Sequence, residues 1–285
     1  MVQGNHPVVD AAERSDHRPI PPAVDELHFL IRAQYKMIYV VSAEEGRVEQ
    51  WLQELAHLDK KALRDRWSCS NWNPRQFIAW SCSQGFQSNS LDVPGDIREP
   101  IRCLDWIGKH LTKDAVVVLR DFHPFLNDPM VARRVRDLVH HFEGETVKRT
   151  VIFLSSVVKI PMELEKDIQV VDFDLPDRDT LVDIVREKAW NGSRSAKYGA
   201  NFKKVLDDIQ LQRDVAEAAL GLTVAEARAV LDKSTVKDKR FAIPTILQEK
   251  KHIIRKSGIL EFYEADRGLD SVGGLETLKS WLQKR

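Results

Sequence analysis

The stretch that comes nearest to phosphate chemistry is VSAEEGRV at residues 41–48. A loop that cradles phosphates needs glycines for its tight turns, a lysine for charge and a hydroxyl for magnesium, in the pattern G-x-x-x-x-G-K-[ST]. No such string occurs anywhere in the chain. Within 41–48, Gly46 stands at the second glycine, while Val41 replaces the first, Arg47 the lysine and Val48 the hydroxyl. Glu44 and Glu45 put negative charge where phosphate oxygens would lie, and like charges repel in a confined site. The simpler reading is a strand-to-helix turn whose acids suit a helix N-terminus; a degenerate, non-hydrolysing site is its historical counterpart.

The second place to look is AVVVL at 115–119, followed by Arg120 and Asp121. In phosphoryl transfer a carboxylate at a strand end supports Mg²⁺ and a neighbouring acid polarises water. Here an arginine comes first and the adjacent acidic pair is missing. Asp121 could still touch a metal; the plainer expectation is that it pairs with Arg120, Arg133 or His123 and sets the loop. His123 precedes a proline and has no serine, cysteine or acid at a recognised spacing, so it reads as structural. No catalytic residue and no metal ligand set is assigned. Lys250, Lys251, His252, Arg255 and Lys256 form a basic run. Cations near a helix C-terminus suit its dipole, which accounts for most of it; a nucleic-acid patch is the sharper alternative.

Elements that would position these residues alternate along the chain. Residues 25–35 carry a short helical face of Leu27, Leu30 and Ile31. Residues 36–41 are a continuous apolar run, the mark of a strand covered on both faces. A helix follows with Val48, Trp51, Leu52 and Leu55 on one stripe. Weaker strand-like segments fall at 67–72 and 76–81, a polar glycine-bearing loop at 83–96, and another helix through Ile101, Leu104, Ile107 and Leu111. Residues 115–119, 150–154 and 168–173 read as further strands. Asp128 with Pro129 marks a helix start, and Asp177 opens a helix through Leu181, Ile184 and Val185. Residues 191–199 read as a loop. Beyond it only helical patterns occur: Val205, Leu206 and Ile209; then Val215, Ala218 and Ala219; then a helix capped by Thr223; then one from Pro244 stopped by Gly258. The expectation is an α/β fold with a three-layer parallel sheet, its strand C-terminal ends on one edge where ligands bind, followed by a small all-helical subdomain. The boundaries are a disordered tail at 1–23, the α/β domain at 24–188, the helical subdomain at 200–258, and a linker with the start of a further module at 259–285.

Composition narrows the function classes. The chain has 285 residues, with 43 Lys+Arg balanced by 43 Asp+Glu. Zero formal charge argues against a global nucleic-acid grip. No run of about 18 apolar residues suggests a membrane span, and the polar, proline-dotted start lacks the apolar core of a signal peptide. Cys69, Cys82 and Cys103 show no C-x-x-C spacing and read as thiols in a reducing compartment. The cytoplasm is the default expectation.

Four strings carry a resemblance: AVVVLRDFHPFLNDPMVARRVRDL, TVIFLSSVVKIPMELEKDIQVVDFDLPDRDTL, AALGLTVAEARAVL and ILQEKKHIIRKSGILEFYEADRGLDSVGGLETLKSWL. Together they resemble the AAA ATPase family encoded by a conserved chloroplast open reading frame and also found in cyanobacteria, over roughly residues 36–285. The resemblance implies a divergent AAA-like (P-loop NTPase-like) domain with a helical lid, placed ahead of an active module. The stretch from Asp270 through Gly273, Gly274 and Leu275 resembles the opening of that module. ATP and Mg²⁺ are then expected only for the module that would follow, with none in this chain. Gly46, Arg47, Asp121 and Ser155 become vestigial cofactor-site candidates; Ser155 and Ser156 stand where AAA modules place a γ-phosphate sensor, and read here as turn or capping residues. Arg133 and Arg134 become candidates for reaching a neighbouring subunit's nucleotide, against the plain alternative of a solvated helix face. Implied partners are an AAA module in cis or homo-oligomer neighbours; composition argues against a membrane and against nucleic acid as the main partner. The implied setting is the cytoplasm or plastid stroma, with a connection to photosynthetic physiology. A non-catalytic regulatory or assembly module is the leading reading. A weak hydrolase using Arg47 and Asp121, and a nucleic-acid adaptor, are the alternatives.

Overall fold

The computed structural model describes residues 20–57, 67, 73–89, 91–256 and 279. The segments 1–19 and 257–278, and residues 68–72 of the proposed strand, lie outside the described residues.

The first unit is built on a six-stranded sheet: β1 Met37–Val41, β2 Gln76–Ser81, β3 Gly85–Gln87, β4 Ala115–Arg120, β5 Arg149–Ser155 and β6 Gln169–Asp172, in the order β3-β2-β4-β5-β1-β6. All neighbouring pairs are parallel except β2–β3. The apolar runs read as strands are strands because alternate side chains point to opposite faces and both faces are covered. Ile38, Val40, Val116, Val118, Ile152 and Leu154 pack on one face beneath helices α1 Pro22–Arg32 and α2 Glu45–His57. Met37, Tyr39, Val117, Leu119, Val151 and Phe153 pack on the other beneath α3 Pro100–His110 and α4 Pro129–Glu143. This is the expected three-layer arrangement. The C-terminal ends of the five mutually parallel strands lie on one edge, as right-handed crossovers require.

The second unit is helical: α5 Arg178–Ser193, α6 Gly199–Asp207, α7 Ile209–Ala219, α8 Val224–Asp238 and α9 Ile243–Lys256. It has its own core, including Leu181, Val185, Phe202, Val215, Leu231 and Ile246. Three expected caps are formed: Asp128 accepts from the Met130 amide, Asp177 from the Thr180 amide, and Thr223 closes a capping box with Glu226.

Four local expectations are corrected. The polar loop at 83–96 contains β3, three residues too short to show a period; Gly85 makes its turn at φ +70°, with the backbone of Gly95 packed where a side chain would go. The loop expected at 191–199 begins later, because α5 runs through Ser193. Gly192 lies inside this helix, where an added Cβ would meet the Phe202 ring. Ile209 does not share a helix with Val205 and Leu206, since Asp208 ends α6 and caps α7 through the Gln210 and Leu211 amides. Finally, α1 begins at Pro22, inside the stretch assigned to the tail, and buries Ala23.

Candidate functional site

The edge formed by the ends of β1, β4 and β5 gathers most of the residues singled out from the sequence. After β1 the Ser42 amide bonds the Ser155 carbonyl at 2.9 Å, which fixes the start of the turn. Ser42 Oγ accepts from the Glu44 amide at 3.1 Å. The Glu44 carbonyl then accepts from the amides of Arg47 and Val48, both at 3.0 Å, and so begins α2. Gly46 lies in the first turn of this helix, and a Cβ added there would meet nothing within 4 Å. Val48 is fully buried in the core. The turn is therefore the strand-to-helix turn of the simpler reading.

The Glu44 side chain is only 5% exposed, and both of its oxygens are used. Oε2 accepts from Arg47 Nη1 at 2.5 Å. Oε1 accepts from the backbone amide of Val224 at 2.5 Å, which is the first residue of α8 in the helical unit. Arg47 also donates to the Asp174 carbonyl at 2.9 Å and lies over the Phe173 ring, 5.1 Å from its centroid. The guanidinium that would have answered a phosphate is thus committed to the protein itself.

At the end of β4, Arg120 turns toward α2. Its Nε and Nη2 donate to the two oxygens of Glu49 at 2.5 and 2.8 Å, and Nη1 donates to Gln87 at 2.9 Å. The bond to Glu49 holds Arg120 more firmly protonated than usual, against the opposing effect of burial. Burial pushes the neighbouring Glu45 carboxyl upward, and Arg120 opposes this. Asp121 follows in the left-handed region at φ 46°, which costs a non-glycine residue energy that its surroundings must hold in place. The expectation that Asp121 pairs with Arg120, Arg133 or His123 fails. Arg120 is taken by Glu49, Arg133 by Asp137 at 2.6 Å, and His123 by Ser155. Among the described residues the Asp121 carboxylate has no hydrogen bond or ion pair.

Ser155 is 3% exposed and its Oγ lies 2.8 Å from His123 Nδ1. Tyr39 donates to the Val157 carbonyl at 2.6 Å, closing the turn behind it; burial raises the Tyr39 pKa. With the serine buried and, among the described residues, no acid bonded to the histidine, this pair braces a turn. Arg134 forms an ion pair with Asp105 of α3 at 2.6 Å, and Arg133 is the more exposed of the two at 66%. In the basic run, His252 and Arg255 are exposed on α9 while Lys250 and Lys251 are half-buried. Cys82 is exposed and Cys103 buried, and burial pushes the Cys103 thiol well up. Among the described residues no cluster of three or more His, Cys, Asp or Glu could hold a metal ion, and no helix is long and apolar enough to cross a membrane.

Sequence reasoning missed Glu44 as a link to α8, Glu49 as the partner of Arg120, and the Ser155–His123 pair. Glu45 and Glu49 are one turn apart on α2, which was a readable signal. Nothing local signals a bond between residues 44 and 224.

In the turn after β1 a buried carboxylate stands where phosphate oxygens would lie, the Arg47 guanidinium is bonded within the protein, and Val48 supplies no hydroxyl.

A mostly parallel sheet in the order β3-β2-β4-β5-β1-β6, followed by a helical lid, defines an AAA-like α/β module. Residues 23–173 match the family described as SpoVK-like AAA ATPase, N-terminal domain, and residues 179–257 match its second domain. The chain belongs to this SpoVK-like AAA ATPase family. It is 29% identical over 266 residues to the AAA domain-containing protein ycf46 of Guillardia theta, covering 92% of this chain and 47% of that one. To the ycf46 protein of Pyropia yezoensis it is 29% identical over 265 residues, covering 91% and 48%. The resemblance read from the four strings is therefore to these proteins, and the chain spans about half of their length. Among solved structures it is similar to the Thermotoga maritima RuvB Holliday junction branch migration motor, at 11% identity and a TM-score of 0.46 over 86% of this chain and 75% of that one. The FIGL-1 AAA domain in complex with ADP gives 8% identity and a TM-score of 0.45 over 97% and 88%. Likenesses this distant carry no argument; the AAA-like class rests on the sheet order and the family match.

Proposed function

We propose that this chain is a non-catalytic AAA-like module that positions or regulates an ATPase module, either continuous with it or in a neighbouring subunit. The observation that carries this reading is the Glu44 carboxylate bonded to Arg47 and to the Val224 amide. Negative charge held there repels a triphosphate, and the donors that a phosphate would need are already used. ATP, Mg²⁺ and hydrolysis then enter only through the partner module, and the sites Gly46, Arg47, Asp121 and Ser155 are vestigial. Arg133, exposed on α4, is the better placed of the two arginines to meet a neighbour. The proposed setting is the cytoplasm or plastid stroma, with the connection to photosynthetic physiology that the resemblance implies.

The test is calorimetric titration of the chain with Mg-ATP, together with phosphate release from wild type and Asp121→Asn. The expected result is no binding and no release that depends on Asp121. Micromolar one-to-one binding would overturn the proposal. Release abolished by Asp121→Asn would favour the weak-hydrolase reading, which the Asp121 carboxylate supports by having no hydrogen bond or ion pair among the described residues.

A further inference from the structure

The N-terminal edge of the sheet, opposite the edge formed by the ends of β1, β4 and β5, carries a cleft of about 770 Å³. It lies between the end of α3, the second half of α4 and the segment leading into β5. Its size is that of a small-molecule site. We infer that it binds a small polyvalent oxyanion, a phosphorylated or polycarboxylic metabolite, with Arg149 at its base and Lys109 and Arg134 beside it. Arg149 is the first residue of β5 and is only 2% exposed. Its Cζ lies over the Phe142 ring, 4.5 Å from the centroid, and its Nη2 meets Glu145. Its Nε is buried and has no hydrogen-bond partner among the described residues. A buried charged donor left unmet is costly, and the cleft lined by the same side chain is where an acceptor can enter.

The acids at the cleft are already engaged. Glu145 is shared between Arg149 and His141, whose Nε2 lies 3.0 Å from it. Asp137 pairs with Arg133 at 2.6 Å, and Arg134 reaches the cleft while paired with Asp105 at 2.6 Å. Lys109 is exposed at the cleft and has no ion pair among the described residues. With every partner counted, Lys109 is the positive charge left over. The excess extends along the edge, where Lys36 precedes β1 and Arg75 precedes β2. Burial and the charges of Arg149 and Arg75 push the Lys36 pKa down, opposed by Glu143, and burial lowers that of Arg75 against Asp114. Like charge gathered at a polar cleft favours a ligand with more than one negative charge. The arginine fork matches carboxylate and phosphate alike, and the Thr112 hydroxyl adds a donor. A purely structural clamp between Arg149 and Glu145 accounts for Nη2 and leaves Nε and the cleft without a role.

The experiment is calorimetric titration of the chain in metal-free buffer at fixed ionic strength, with inorganic pyrophosphate and citrate as probes. Wild type is expected to bind at least one of them at a single saturable site. Tighter binding of pyrophosphate identifies the phosphorylated class, and tighter binding of citrate the carboxylic one. Lys109→Glu, an exposed change, and Arg149→Lys, which keeps the charge and removes Nε, should each weaken binding at least about tenfold. Lys203→Glu makes the same charge change on an exposed position of α6 and should leave binding as it was. Circular dichroism checks that each variant folds; should Arg149→Lys not fold, Lys109→Glu decides alone. The inference is overturned if neither probe binds saturably below about 10 mM, if a folded Lys109→Glu or Arg149→Lys binds as wild type does, or if Lys203→Glu weakens binding equally, the mark of net charge alone. The probes contain neither nucleotide nor metal, so each outcome is separable from that of the Mg-ATP titration.

Discussion

Arg120 at the end of β4 grips Glu49 of α2 through two roughly parallel bonds of 2.5 and 2.8 Å. The fork geometry and partial burial of both side chains make this the strong kind of ion pair. It ties the helix after β1 to the strand at the sheet centre, at the very edge where a nucleotide would need room. Arg120→Ala leaves a mostly buried carboxylate alone and should destabilise the protein by about 2–4 kcal/mol. Glu49→Gln should cost less, since the amide oxygen still accepts. Urea unfolding of the two single variants and of Arg120→Ala/Glu49→Ala would measure the coupling. Additive losses would mean that the pair is ornamental.

His28 gives a stability change with pH. It is 1% exposed on α1, stacked on Trp67 with ring centroids 4.1 Å apart. Burial, with repulsion from Arg32 and Arg75 and only partial relief from Asp25, pushes its pKa from 6.5 to about 4. The unfolded chain takes a proton near pH 6.5, while the folded chain resists until about 4. The contribution is therefore complete above pH 6.5 and is lost as pH falls toward 4, by about 3 kcal/mol. Urea unfolding at several values across this window should show wild type losing stability faster than His28→Phe, which keeps a stacking ring without a titrating nitrogen. Parallel curves would dismiss the assignment.

What was legible in the sequence follows from what is local or periodic. The strands at 36–41, 115–119 and 150–154 are apolar without interruption because helices cover both faces, and that needs no knowledge of partners. Asp128, Asp177 and Thr223 could be read as caps because a cap bonds an amide two or three residues away. Asp208 was missed, although it is a cap of the same type, because apolar residues on both sides mimic one continuous stripe. β3 was hidden by its length. The turn after β1 could be read as unfit for phosphate, since Val41, Glu44 and Val48 show the wrong chemistry in place. The bond that Glu44 makes to the helical unit could not be read, because the Val224 amide belongs to backbone and carries no side-chain signature. The expected pairing of Asp121 with Arg120, Arg133 or His123 failed because each of these is taken by a partner on another part of the chain or one helical turn away.

Gly85 is a position where the backbone leaves no choice. Its φ of +70° is costly for any residue with a side chain, and a Cβ there would stand 2.3 Å from the Gly95 carbonyl oxygen. The obstacle is backbone, so no rotamer change relieves it. Gly85→Ala should cost about 2–4 kcal/mol. It should also release the β2–β3 hairpin, including the Gln87 contact to Arg120. Hydrogen exchange at Phe86 and Gln87 would report the loss, and unchanged protection there would contradict it.

Gly192 sets two effects of known size against each other. Glycine inside α5 costs about 1 kcal/mol relative to alanine by helix propensity, so Gly192→Ala in open space would stabilise. The space is not open: an added Cβ would lie 2.6, 2.7 and 2.9 Å from three atoms of the Phe202 ring. That ring is 2% exposed and stands edge-on to Phe241 at 5.2 Å, so it cannot step aside freely. Overpacking of this kind costs about 1–3 kcal/mol, which at such distances outweighs the propensity gain. Gly192→Ala should therefore destabilise the helical unit. In the background of Phe202→Leu, which removes the ring, the same change should become neutral or favourable. Denaturant unfolding of the four proteins in this cycle decides between the two effects, and a stabilising Gly192→Ala in the wild-type background would show that the α5–α6 contact is looser than the structure has it.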